Sequence, residues 1–249
     1  MPWVEDDRLY PEEIDPENEF QNAILKVFVQ RYEVAVSWLY GRFGGRPVRI
    51  LDMACGSGYG SKLLSAMGEV VAVDIEPRAV EYAQEMYGGD GLTFRVGSAD
   101  DPSFLNSLGS FDAIVSIATI EHIDDVVGFL CWMQRSLRPN GVCALGFPAS
   151  LTLDWASPHH KRDISPRQAR RLFAEAGLRI QDEFHQRELI GLKDLLAGQN
   201  TDQKLPAQPL RRWLAHYLLH PHHFAQRAFE FVFRGGLVFA HQEYQLTRQ

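Results

Sequence analysis

The stretch ILDMACGSGYGS, residues 50–61, runs an apolar segment into Asp52 and then sets Gly56, Gly58 and Gly60 two apart. Glycines directly after a strand let backbone approach a ligand closely. The spacing is tighter than the G-x-G-x-x-G that seats a pyrophosphate on a helix N-terminus. A carboxylate four residues before the first glycine repels a pyrophosphate and attracts a cation. S-adenosylmethionine (SAM) has an ammonium, a sulfonium and no phosphate, so it suits this turn. Its methionyl and ribose parts would then lie against the backbone of the three glycines.

A second acid, Asp74, closes the apolar run EVVAVD, where a carboxylate can accept hydrogen bonds from both hydroxyls of a ribose. This acid alone fits a dinucleotide equally well. The run ending VGSADD offers Ser98, the Ala99 backbone and Asp100 to an adenine amine, with Asp101 as the competing acid.

These features must be held by regular elements. Apolar residues recur at helical spacing from Asn18 to Phe43, and Gly44-Gly45 ends that run. VRILDM, EVVAVD, LTFRVG, FDAIVS, GVCALGFP and LRIQDEF then read as six strands. Helices are expected from about Gly58 to Met67, from Pro77 to the Gly88-Gly89 stop, from Asp124-Asp125 onward, and at SPRQARRLFAEAG, where Ser165 and Gln168 form a capping box. Such alternation implies a parallel sheet covered by helices on both faces, with ligands at the carboxyl ends of the strands. Every acidic or glycine-rich feature above falls at such an end.

The bulk properties narrow the partners. With 249 residues, 45% of them hydrophobic, the chain can bury a sizeable core. A formal net charge of -7 and the lack of a basic stripe argue against nucleic acid. Cys55, Cys131 and Cys143 have no metal spacing and read as core residues of a reducing compartment. The first 17 residues form an acidic arm, unlike a signal peptide, and no apolar run suits a bilayer, so a cytoplasmic protein is expected.

Together, ILDMACGSGYGS, VVAVDIEPRAVEYA, FDAIVSIATIEHIDD and LRPNGVCALGFP resemble the successive motifs of class I SAM-dependent methyltransferases. Within them the chain is similar to the type 11, UbiG-like group, and RYEVA, ACGSGYGS, IEHIDD and SPHHKRDIS to a bacterial subgroup found with polysaccharide and glycosyltransferase genes. The resemblance implies a Rossmann-like, doubly wound α/β fold. Its sheet has seven strands, the last antiparallel, with an N-terminal helix and a helical insertion before the last strand. GLVFAHQEYQL fits that seventh strand, which makes 185–235 a lid-like insertion in a domain spanning 18–249, with PLRRWLAHYLLH and HFAQRAFEFVF as its helices.

The resemblance implies SAM as cofactor and S-adenosylhomocysteine as product. It places Asp52, Ala54, Gly56, Gly58, Tyr59, Asp74, Ile75, Ser98, Ala99, Asp100 and Ser116 on the cofactor; Arg31 and Tyr32 of the first helix are candidates to reach its carboxylate or to lid the site, with packing the other reading of Tyr32. The family carries an acid where this chain has Ser98, and its KPGG turn appears as RPNG. An alcohol acceptor needs a base, and His122 faces the site by the family pattern, with Glu121 placed to contact the SAM ammonium or to orient that histidine. His159 or His160 in SPHHKRD is the other candidate base or acceptor-binding group. A metal held by His122, His159 and His160 is not demanded by any spacing, and none is expected. The expected activity is methyl transfer to a small molecule or sugar, on oxygen. The competing reading is a SAM-binding module that only supports a partner enzyme.

Overall fold

The computed structural model describes residues 4–5, 8–149, 160–162, 164–191, 217–218, 221–234 and 236–249. Seven strands form one sheet: β1 (Val48–Met53), β2 (Gly68–Asp74), β3 (Leu92–Val96), β4 (Phe111–Ile117), β5 (Leu137–Pro148), β6 (Leu178–Gly191) and β7 (Gly236–Arg248). Their order is β3-β2-β1-β4-β5-β7-β6, with β7 antiparallel to both neighbours. The chain reverses direction across the sheet between β1 and β4, which opens the ligand crevice at their carboxyl ends.

The helices are α1 (Glu19–Phe43), α2 (Tyr59–Leu64), α3 (Pro77–Tyr87), α4 (Pro102–Ser107), α5 (Val126–Ser136), α6 (Pro166–Glu175) and α7 (Pro221–Arg234). Local chemistry sets their ends. The Asn18 side chain accepts from the Gln21 N–H to start α1, and Gly44 stops it at φ 62°. Pro77 opens α3, and Ser165 and Gln168 form the expected capping box of α6. Helix α4 was not anticipated: at six residues it is too short for a clear period, and its signal is the Asp101 cap before Pro102.

Each face of the sheet carries its own core. Leu39 of α1 packs with Ile50, Val70 and Ala144 of the sheet on one face, while Leu130 of α5 and Phe173 of α6 pack with Leu51, Ile114 and Phe147 on the other. Both faces of β1 are therefore apolar, as a covered parallel strand requires.

The ends of the chain differ from expectation. The acidic arm folds onto the domain: Val4–Glu5 pairs with Arg8–Leu9, and Leu9 and Tyr10 are buried. Strand β6 continues seven residues past Phe184 to Gly191, paired with β7 throughout. The LRIQDEF alternation marks only the first half, because the pairing continues beyond it. Of the two insertion helices, HFAQRAFEFVF lies in α7, while PLRRWLAHYLLH falls outside the described residues except for 217–218, which are helical. Among the described residues no helix is long and apolar enough to cross a membrane.

Candidate active site

The three glycines after β1 serve different ends. Gly56 has φ 57°, and a methyl group added there would meet only the Arg8 side chain, at 3.7 Å. Its N–H donates to Asp74 Oδ2 at 2.9 Å. A methyl group at Gly58 would lie 2.6 Å from the Ala83 Cβ and 2.8 Å from the Phe94 ring. At Gly60 it would lie 2.1 Å from the Tyr32 ring. Gly56 alone thus leaves space for a ligand, whereas Gly58 and Gly60 admit α3 and α1 to close packing. Ala54, at φ 63°, joins Gly56 and Gly58 as the third left-handed residue of the turn.

Asp52 is fully buried, and its carboxylate accepts from Ser61 Oγ at 2.6 Å and from the Tyr32 hydroxyl at 3.3 Å. Tyr32 packs edge to face against Tyr59, with ring centroids 5.5 Å apart. These contacts tie α1, β1 and α2 into one unit. Burial pushes the Asp52 carboxyl up to about 7, against the pull of its two hydroxyl donors.

Asp74 sits at the end of β2, with Ile75 and Val96 exposed beside it. Its Oδ1 accepts from Arg8 Nη2 at 2.7 Å, from Arg8 Nε at 3.2 Å and from the Glu76 N–H at 3.0 Å. Arg8 is the residue that sequence reasoning missed: it is the single basic side chain in the stretch Met1–Glu19, and its partner lies 66 positions away.

The adenine candidates separate. Asp101 caps α4 through the Ser103 and Phe104 N–H groups. Asp100 accepts from the Asp124 N–H at 3.0 Å and lies 3.8 Å from Lys161 Nζ, while Ser98 Oγ accepts from the Asp100 N–H. Ala99 packs in part against the core below α5. Ser116 is buried and donates to Thr119 Oγ1 at 2.9 Å, within the turn that follows β4.

That turn places Glu121 and His122, with His122 Nε2 4.0 Å from Glu121 Oε1. The His160 ring meets the His122 ring edge to face at 4.8 Å. The Lys161 N–H donates to the Glu121 carbonyl at 2.9 Å, fixing the loop that carries His160 to the turn that carries His122. His159 lies outside the described residues.

Arg31 is buried on α1, its guanidinium 4.4 Å from the Phe28 ring centre and its Nε donating to Gln186 Oε1 at 3.2 Å. His241 and Glu243 of β7 are also buried, with Nδ1 and Oε1 3.5 Å apart. Burial pushes the Glu243 carboxyl up to about 8, with Arg31 opposing, and pushes the His241 imidazole down, with Arg31 adding to the effect.

These shifts make stability pH-dependent. The folded chain keeps protons on Asp52 and Glu243 that the unfolded chain releases near pH 4. Their stabilising effect is complete below that range and is lost as pH rises through about 7 and about 8. His241 acts in the opposite sense below about pH 6.5, offsetting one of the two groups there. Thermal melts of the ligand-free chain should therefore give a Tm that falls from pH 6 to pH 9. Asp52→Asn with Glu243→Gln should flatten the profile; an unchanged slope in that double variant would refute the assignment.

Residues 51–145 match the family described as "Methyltransferase domain". The chain is 29% identical over 191 residues to the ubiquinone biosynthesis O-methyltransferase of Methylocella silvestris, covering 67% of this chain and 73% of that one. It is 27% identical over 168 residues to the protein of the same name from Xanthomonas axonopodis, covering 60% and 70%. Among solved structures, the magnesium protoporphyrin IX methyltransferase of Synechocystis with bound S-adenosylhomocysteine superposes with a TM-score of 0.61. That match covers 95% of this chain and 90% of that one at 14% identity. An S-adenosylmethionine-dependent methyltransferase from Mesorhizobium loti gives 0.53, with 82% and 92% covered at 14% identity. At these identities the structural matches speak for the fold.

Proposed function

We propose an oxygen acceptor on a small molecule or sugar for this chain, which is a class I SAM-dependent methyltransferase with SAM as its cofactor. The observation that carries the proposal is the group formed by Glu121, His122 and His160 after β4 and β5, at the same edge of the sheet as the Gly56 turn and Asp74. Asp74 takes the ribose hydroxyls in exchange for the Arg8 guanidinium that its Oδ1 accepts from in the ligand-free chain, the adenine lies between Ile75 and the Ser98–Asp100 loop, and the methionyl end runs along Gly56 toward Arg31 and Tyr32. This directs the methyl group toward the histidines.

Methyl transfer from a sulfonium is an in-line displacement, so most of the catalysis is positioning and exclusion of water. A neutral hydroxyl must also lose its proton as the O–C bond forms. An imidazole held against a buried carboxylate is suited to take it. The O-methyltransferase names of two relatives support oxygen over nitrogen.

His122→Ala should lower turnover by about 100-fold while SAM affinity, read by calorimetry, stays within about twofold of wild type. Equal turnover would remove His122 from the chemistry. The acceptor class is tested with SAM labelled on its methyl group and an extract of the source cells, split into small-molecule, lipid, polysaccharide, protein and nucleic-acid fractions. Label in the small-molecule or polysaccharide fraction, released by conditions that cleave methyl ethers or esters and lost with Asp74→Ala, is expected. Label confined to protein or nucleic acid would overturn the proposal.

A further inference from the structure

Glu121, His122 and His160 each offer a ligand atom, and these atoms all lie within 4.8 Å of one another. Glu121 is 2% exposed, whereas the two imidazoles are only half-buried. A buried carboxylate beside two half-buried imidazoles is the donor set of a catalytic cation site, three protein ligands with a position left open. We propose that this trio binds a divalent first-row cation, with Zn²⁺ the best fit, and that the open position takes the acceptor oxygen.

Three observations carry the assignment. The first is the convergence itself, of residues 38 or more positions apart in the chain, His160 against Glu121 and His122. The second is how little must move. A tetrahedral ion with bonds of about 2.0–2.1 Å needs its donors about 3.3 Å apart, so the widest pair closes by about 1.5 Å. Rotation of the His122 ring, whose side chain is 31% exposed, provides much of this. The third is that the two loops are already joined. Besides the Lys161 N–H to Glu121 carbonyl bond, Lys161 Nζ donates to Asp124 Oδ1 at 2.6 Å and Arg162 Nη2 to the Asp124 carbonyl at 3.1 Å. The ligand loops therefore need no folding event to meet. Two imidazoles with one carboxylate favour zinc-like ions over Mg²⁺ or Ca²⁺, which prefer all-oxygen shells.

The catalytic use of the ion rests on the proposed O-methylation and changes the part His122 plays, from proton acceptor to ligand. The bound acceptor hydroxyl would lose its proton to solvent more readily because the cation lowers its pKa. The resulting oxygen forms the O–CH₃ bond as the S–CH₃ bond breaks, and the bonding pair stays on sulfur as the neutral thioether of S-adenosylhomocysteine.

The test uses the full chain, stripped with a chelator, dialysed, and titrated with Zn²⁺ alone by calorimetry. Co²⁺ is then substituted for its visible absorption. About one ion per chain is expected, with a Co²⁺ spectrum typical of four- or five-coordinate nitrogen and oxygen ligands. Glu121→Gln and His160→Ala should each weaken Zn²⁺ binding about 100-fold, a ligand's share of a zinc site's free energy, with SAM affinity kept as proof of folding. His185→Ala, which removes a histidine of β6 outside the trio, should bind as wild type does. No uptake, or uptake that survives in both ligand variants, would overturn the site. Methyl transfer at full rate in the stripped chain without uptake would overturn it too, and would leave the O-methylation standing. Zn²⁺ bound as described, with no label in any fraction, would instead overturn the O-methylation and leave the site.

Discussion

Asp74→Ala should weaken SAM binding by about 10²- to 10⁴-fold, the largest loss in affinity expected from a single side chain in this protein. A carboxylate that accepts from both ribose hydroxyls makes two charge-assisted hydrogen bonds, each contributing about 1.5–3 kcal/mol. The substitution also strips Gly56 of its N–H acceptor and Arg8 of its ion-pair partner. Asp74→Asn separates the effects, since it keeps one acceptor oxygen and should fall between wild type and alanine. Calorimetric titration reads both. If Asp74→Ala bound SAM as wild type does, the ribose contact would lie elsewhere, and the cradle formed by Arg8, Gly56 and Asp74 would be a structural clasp for the arm.

The second large effect concerns the fold around the turn. Gly58→Ala should destabilise the chain by about 3 kcal/mol, combining a left-handed residue with a Cβ forced into a packed interior. Gly58 has φ 90°, and the new atom would meet Ala83 and Phe94, both buried. For a domain of this size that corresponds to a fall in Tm of roughly 6–12 °C. Gly56→Ala is the contrast. Its φ of 57° lies where alanine already sits at position 54, and only the flexible Arg8 side chain is near. It should cost about 1–2 kcal/mol while still reducing SAM affinity, because the open space is on the ligand side. Thermal melts of the two variants, with SAM titrations, check this. Equal destabilisation would mean that Gly56 is also a packing glycine.

Much of the scaffold was legible because its signals are local. Apolar runs of strand length ending at Met53, Asp74 and Ile117 are set by burial on both faces, the alternation of the edge strand ending at Val96 by burial on one, and helix ends by side chains a few residues away, such as Asn18, Pro77 and the Ser165–Gln168 box. Asp74 could be placed at a strand end from the same pattern. The length of β6 could not, since its second half is held by pairing with β7 more than 40 residues later.

The site was less legible for the same reason. Asp52 reads as a ligand-facing acid from its spacing, yet Ser61 and Tyr32 engage both its oxygens, and the Tyr32 hydroxyl comes from a helix 20 residues away. The motif G-x-G-x-G names three equivalent positions, and only the neighbours Arg8, Phe94 and Tyr32 distinguish them. By itself the sequence determined the alternation, the caps, the acid closing β2 and the glycine turn, because each depends on φ/ψ preference, hydrogen bonding or burial within a few residues. Tertiary structure alone decided that Arg8 closes on Asp74, that Arg31 lies near Glu243, and that His160 meets Glu121 and His122. Those meetings depend on strand order and loop docking, which bring together side chains that no local preference relates.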